Sequence, residues 1–323
     1  MYNRVVRYSY LFVSESNSFV PTRKTVSFSR AFFAINRSEM RINMEKNIKK
    51  YFAVFVLPTL IAFLIAFVIP FVMGLYLSFC NFTTVTNANF VGWENYVKVF
   101  ESKDFLQSLL FTVAFSIVAI VTINIFAFGL SLMLTRGFRG TNFFRTAFFM
   151  PNLIGGIVLG YIWQSMINGV LERYGVTMLM DAKYGFWGLV VLMNWQMIGY
   201  IMVIYIAGLQ NVSPDLIEAA KIDGASAFKT LFRIKIPLIM SSITICLFLT
   251  ITNSFKMFDQ NLALTAGGPS NKTAMMALDI YNTFYGKVGF EGVGQAKGVI
   301  FFLIVALIGI TQVALSRRKE VES

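Results

Sequence analysis

The chain has 323 residues, of which 56% are hydrophobic, 16% aromatic and only 14% charged. Soluble domains carry about 25% charged residues, so the composition argues for a membrane protein before any motif is read. There is no histidine, which excludes His-based triads, HExxH zinc sites and most general-base chemistry. The two cysteines, Cys80 and Cys246, are too few and too far apart for a disulfide framework or a cysteine metal site. They read as apolar filler. The net charge is +12, but the basic residues flank apolar runs instead of forming a basic domain. They suggest membrane topology, not nucleic acid.

Residues 1–43 hold seven Lys/Arg, two acids and seven Ser, with no sustained period. No apolar core precedes a small-residue cleavage site, so a cleavable secretory signal is not evident. Met44 opens MEKNIKKYFAVFVLP, a short basic head running into an apolar span. The expectation is a disordered or over-extended segment over 1–43, then an anchor helix and outer loop over 44–104.

A helix needs roughly 20 apolar residues to cross a bilayer core. Charge-free runs occur at 51–93 (strongly apolar to Phe79), 105–135, 146–171, 184–214, 236–255 and 298–316. They predict six transmembrane helices in an all-α integral membrane protein, because lipid penalises open strand edges. Pro58 and Pro70 are expected to kink or delimit the first span, and Pro151 the third. With both termini placed inside, the inner segments carry 13 Lys/Arg in 51 residues and the outer ones 8 in 92. That density satisfies the positive-inside rule and makes both ends cytoplasmic. No predicted span holds an interior charge, since Lys256 and Asp259 fall just past the fifth. This disfavours an ion-driven carrier and an intramembrane enzyme.

The loop between spans four and five is the most informative stretch. Ser213 suits an N-cap, Pro214 the first helical position and Asp215 the positive helix end. The run LIEAAKID follows, and Gly224 suits the residue just past the helix end. A second short helix, AFKTLFRIKI, leads to Pro237, which is expected to open span five.

Glu218-Ala219-Ala220 with Asp223-Gly224-Ala225, then Ile236-Pro237-Leu238, resembles the EAA loop of ABC-type importer permeases. Phe90-Val91-Gly92-Trp93-Glu94-Asn95-Tyr96 is similar to the FVGxxNY stretch of carbohydrate permeases of the maltose, multiple-sugar and glycerol-phosphate type. Leu264-Thr265-Ala266-Gly267-Gly268-Pro269 with Thr273 is similar to their LTxGGPxxxT stretch. Met150-Pro151-Asn152 through Tyr161-Ile162-Trp163 resembles their third span. Phe111-Thr112 departs from the usual Asn-Thr at the start of span two. The resemblance covers about residues 51 to 316.

It implies a type I ABC importer permease in the cell membrane. The transmembrane domain spans 105–316, with a coupling loop at 213–237 and a cytoplasmic tail at 317–323. Glu218, Ala219, Ala220, Asp223 and Gly224 would dock on a cytoplasmic ABC ATPase dimer. A second homologous permease and an extracytoplasmic solute-binding protein are further implied partners. The chain has no G-x-x-x-x-G-K-[ST] loop, so ATP belongs on the partner and no cofactor is expected on this chain.

A sugar site among helices needs amides and aromatic faces. The candidates are Asn124, Trp163, Gln164, Asn194, Trp195, Gln196 and Asn253. Interhelical hydrogen bonding is the plainer reading of each. Gly155-Gly156, Gly160, Gly199 and Gly208 read as helix-packing faces. Charge-free spans lean toward a neutral sugar over glycerol 3-phosphate or a polyol phosphate. An ATP-independent carrier is the reading from a different class.

Overall fold

The computed structural model describes residues 51–52, 54–137 and 139–317. The expectations for 1–43, for the basic head at 44–50 and for most of the tail lie outside these residues. The chain divides into two compact units, one ending at Phe71 and one beginning at Val72.

Helix α1 runs Leu57–Leu77. Pro58 sits in its first turn, where the missing N–H removes no bond. Pro70 has a different effect. A proline ring displaces the carbonyl four residues back, and a wide π turn at Leu64–Val68 lies just ahead of it, with Ile69 N–H bonding Leu64 O. The helix passes the proline by widening instead of breaking.

In the second unit, strands β1 (Cys80–Phe82) and β2 (Ala88–Phe90) form a small antiparallel hairpin with Cys80 opposite Phe90. It is the one departure from all-helical structure among the described residues. Helix α2 (Glu94–Glu101) follows. Asn95 donates to Ser78 O and Cys80 O, each at 2.9 Å, and the Tyr96 hydroxyl lies 2.7 Å from Ser78 Oγ. The Asn-Tyr pair therefore ties down the chain where it leaves α1.

Helices α3 (Lys103–Leu134) and α6 (Ala182–Gln210) are unbroken, long and apolar. Their facing sides bury Phe115, Ala119, Ile123, Leu189, Leu192 and Ile201 in the main core. Between them lie α4 (Thr141–Phe149), a 3-10 turn at Met150–Leu153 and α5 (Gly156–Leu171). The chain bends by 101° there. The expected third span is thus broken. Pro151 tightens the turn, and extended residues Ile154 and Gly155 separate the halves.

The run expected as the fifth span is interrupted as well. Helix α7 (Pro214–Ile222) precedes α8 (Ala227–Leu238) and α9 (Met240–Phe255), and the last two meet at 74°. Pro237 lies inside the last turn of α8, so the span opens at Met240, not at the proline. Among the described residues, four helices are long and apolar enough to cross a membrane, or up to six if each bent pair is one span.

The stretch 254–297, expected as an outer loop, instead folds back on the bundle. It contains α10 (Asp259–Leu264) and α11 (Met276–Gly286), and α12 (Glu291–Arg317) begins seven residues earlier than expected. Asn261 organises the Leu264–Thr273 turn. Its amide donates to Thr265 Oγ1 (3.0 Å) and Thr273 O (2.8 Å), and its oxygen accepts from Met275 N–H (2.9 Å). Thr112 accepts from Met276 N–H at 2.9 Å, so the threonine beside the sequence departure at Phe111 caps α11. Lys297 corrects the expectation of charge-free spans. It lies inside α12, 2% exposed, 2.7 Å from Asp279 Oδ2 and 2.9 Å from Thr283 Oγ1. The apolar setting tolerates the charge because a carboxylate and a hydroxyl satisfy it.

Small residues set the close approaches. A Cβ on Gly199 would stand 1.8 Å from Phe148 O, one on Gly160 2.5 Å from Ala263 Cβ, and one on Gly208 2.3 Å from Ser242 Oγ. Gly156 is held against Asp259 and Gln260, whereas Gly155 has open space and lies at the break.

Candidate functional site

Two places concentrate polar, accessible side chains: the loop between α6 and α9, and a cavity between the break in the third span and the far end of α9.

The helix in the loop is capped at both ends. Ser213 Oγ accepts from Asp215 N–H at 3.3 Å, with Pro214 in the first turn. Such a cap contributes about 1 kcal/mol. At the other end Gly224 has φ +75°. Its N–H bonds Lys221 O (3.0 Å) and Ala225 N–H bonds Ala220 O (2.9 Å). These two bonds form a Schellman cap, which favours glycine at its left-handed position. Glu218, Ala219, Asp223 and Gly224 are exposed, while Ala220 is buried. Leu216 and Ile222 are exposed as well, Ile222 by 86%. A cavity of about 290 Å³ lies beside α7, lined by Leu216, Ala219, Ala220, Asp223, Ala225, Lys229, Arg233 and Ile234. The five residues expected to dock a partner therefore sit on one capped helix and its turn, with an unfilled concavity alongside.

The second cavity, about 180 Å³, is lined by Asn152, Met193, Gln196, Met197, Asn253, Lys256, Met257 and Gln260. The break in the third span and the turn from α9 to α10 create it. Asn152 comes from the 3-10 turn that interrupts span three, Lys256 caps the end of α9, and Gln260 begins α10. Gln260 Nε2 donates to Gln196 Oε1 (2.8 Å), and Gln196 Nε2 donates to Ile154 O (3.3 Å). Asn253 donates to Leu249 O (2.8 Å) and Asn152 contacts Met197 Sδ at 3.6 Å. Among the described residues, the side-chain oxygens of Asn152, Asn253 and Gln260 accept no hydrogen bond. The buried thioethers of Met193, Met197 and Met257 add a soft apolar wall. Free amide oxygens beside apolar surface suit a polyhydroxylated solute, whose hydroxyls donate to them while its C–H faces pack on the thioethers.

Of the sequence candidates, Gln196 and Asn253 meet in this cavity. The other five do not line it. Asn124 ties three helices together, donating to Thr250 Oγ1 (3.1 Å) and accepting from Tyr205 (2.7 Å). Asn194 donates to Thr122 Oγ1 (2.9 Å) and Val190 O (2.8 Å), and its buried oxygen has no partner among the described residues. Gln164 donates to Leu264 O at 2.9 Å, joining α5 to α10. Trp163 and Trp195 meet edge to face at 5.6 Å. Sequence reasoning missed Asn152, Lys256 and Gln260 as a group. The only signal was their place beside Pro151 and at the charged end of an apolar run.

Residues 125–321 match the family described as "Binding-protein-dependent transport system inner membrane component". The chain is 42% identical over 280 residues to a "Probable starch degradation products transport system permease protein AmyD" of Thermoanaerobacterium thermosulfurigenes, covering 84% of this chain and 96% of that one. It is 28% identical over 291 residues to the "Multiple sugar-binding transport system permease protein MsmF" of Streptococcus mutans, covering 87% and 100%. Its fold resembles a chain of a bacterial ABC transporter for import of the acidic polysaccharide alginate, with a TM-score of 0.72 at 21% identity over 85% of this chain and 99% of that one. The apolar helices and these matches make the chain a multi-pass protein of the cell membrane. It belongs to the family of inner-membrane components of binding-protein-dependent transport systems.

Proposed function

We propose that this chain is the translocation subunit of an ATP-driven oligosaccharide importer. The observation that carries the solute class is the amide- and thioether-lined cavity between the break in span three and the far end of α9. The relative named for transport of starch degradation products supports a neutral α-linked glucose oligomer. In this reading the bundle has six spans, each bent pair counting as one, with both termini cytoplasmic as the Lys/Arg distribution suggests. Domain limits follow the sequence reading: an anchor and outer loop to 104, the transmembrane domain over 105–316, and the coupling loop over 213–237.

Glu218, Ala219, Ala220, Asp223 and Gly224 dock α7 onto a cytoplasmic ATPase dimer, which binds the ATP. This chain carries no cofactor. A second homologous permease completes the pathway and an extracytoplasmic binding protein delivers the sugar. The linkage is mechanical. Displacement of α7 passes through the Gly224 turn to α8, and from α8 across the 74° bend to α9. Helix α9 spans about 24 Å at 1.5 Å per residue and carries Asn253 and Lys256 at its far end. A shift at the loop therefore reshapes the cavity wall, which is the requirement for alternating access.

Lys256 is the one observation that favours a second reading, import of glycerol 3-phosphate or a polyol phosphate. A single cation among four amides is a thin site for a dianion, so the neutral sugar is preferred. Uptake of radiolabelled maltotriose by cells expressing the whole system tests the proposal. Uptake should require the ATPase and the binding protein. It should fall in Asn253→Ala and Gln196→Ala with the subunit still in the membrane. Uptake that survives ATP depletion would establish an ATP-independent carrier instead. Competition by glycerol 3-phosphate but not maltose would establish the phosphate reading.

A further inference from the structure

We propose that Lys256 is a cation barrier, a fixed positive charge that keeps protons and metal ions out of the solute cavity while uncharged sugar passes. The inference rests on reading that cavity as the solute pathway. Lys256 is the only charged residue among the eight that line it. It belongs to none of the ion pairs among the described residues, which are Lys98–Glu94, Lys183–Asp181, Lys287–Asp104 and Lys297–Asp279. Asp259 is the nearest carboxylate in sequence, yet it packs toward Gly156 and makes no ion pair with Lys256. Lys297, by contrast, is fully neutralised by its partner.

Lys256 is exposed at the C-cap of α9, where the helix dipole favours a cation, but an ammonium that lines this cavity without a carboxylate partner can serve a further purpose. The rest of the wall supplies one. The free oxygens of Asn152, Asn253 and Gln260 that suit sugar hydroxyls are also good ligands for hard cations. The inside-negative potential of an energised membrane drives cations in the same direction as the imported sugar. A sugar site built from amide oxygens would therefore leak ions whenever it opened, unless it also carried positive charge. At an effective dielectric near 20, a unit charge about 5 Å from a passing cation lowers its occupancy by roughly two orders of magnitude. A neutral sugar is unaffected.

The test uses the complete importer, with both permeases, the ATPase and the binding protein, in vesicles holding trapped pyranine. A potassium gradient with valinomycin sets an inside-negative potential. Proton influx is recorded during ATP-driven uptake of maltotriose. Lys256→Gln should raise the influx at least tenfold, Lys256→Glu further, and Lys256→Arg should match wild type. Lys256→Cys provides the same comparison on one folded protein, since Cys80 and Cys246 are both buried. Aminoethyl methanethiosulfonate should restore the seal to this variant, and the neutral methyl reagent should not. Influx in the Gln, Glu and unmodified Cys variants equal to wild type would overturn the barrier while leaving the pathway reading intact. Wild-type vesicles that take up no maltotriose would overturn the pathway reading and the barrier with it.

Discussion

The buried pair between α11 and α12 gives a quantitative forecast. Lys297 Nζ lies 2.7 Å from Asp279 Oδ2 and 2.9 Å from Thr283 Oγ1, with side-chain exposures of 2% for Lys297 and 8% for Asp279. Lys297→Met leaves Asp279 as an uncompensated buried carboxylate, and Asp279→Leu strands the ammonium. Breaking such a pair from one side costs about 3–5 kcal/mol. At about 2 °C per kcal/mol for a chain of this size, each single variant should melt roughly 6–10 °C lower in detergent. The double variant Lys297→Met with Asp279→Leu removes both charges and should recover most of that loss, because a well-packed apolar pair replaces an ion pair with little penalty. Tryptophan fluorescence or differential scanning calorimetry of the purified permease reads all three. Single variants melting within 1–2 °C of wild type would refute the reasoning, and so would a double variant no better than the worse single.

Other forecasts concern close packing, helix caps and the cavity. Gly199→Ala would place a methyl 1.8 Å from Phe148 O, a backbone atom that cannot rotate away, so membrane-inserted protein should fall severalfold by quantitative immunoblot. Wild-type abundance would contradict the close approach. Gly224→Ala forces a Cβ into φ +75° at a cost of about 1–2 kcal/mol. It should speed hydrogen exchange at Ala225 without lowering abundance. Backbone N–H donation from Lys183 holds the Asp181 carboxyl below its usual pKa of 3.8. Because the folded value is depressed, the cap's contribution is present above 3.8 and lost as pH falls through the folded value. Exchange at Lys183 should rise only in that acid range, and Asp181→Asn should remove the step.

The unbroken spans were legible because nothing interrupts their apolar runs. The second was expected at 105–135 and is α3, and the fourth was expected at 184–214 and is α6. The two breaks were not legible as bends. Pro151 and Pro237 were visible, but a proline signals a kink, a cap or a tight turn alike, and only tertiary contact decides. The fold-back of 254–297 was hidden for another reason. Asn261, Thr265 and Thr273 look like loop residues, and they fill one another's hydrogen bonds inside the protein. Lys297 similarly read as the edge of a span because its neutralising partner lies 18 residues away. The capped helix α7 could be read closely, since its N-cap, its proline and its terminal glycine are all local signals. Of the cavity, only Gln196 and Asn253 could be named, because Asn152, Lys256 and Gln260 converge through the break in the third span and the turn from α9 to α10, which sequence periodicity does not reveal.

The central claim, that α7 couples this chain to an ATPase, is tested most directly by Glu218→Arg and Gly224→Pro. The first reverses an exposed charge on α7 and leaves its hydrogen bonds alone. The second removes the N–H that bonds Lys221 O and forbids φ +75°. Co-purification of the ATPase and sugar-stimulated ATP hydrolysis are scored on the assembled importer. The account requires both to be lost in the variants while the permease remains in the membrane at wild-type abundance. An ATPase that never accompanies the wild-type chain, or variants that hydrolyse ATP and transport sugar normally, would contradict it.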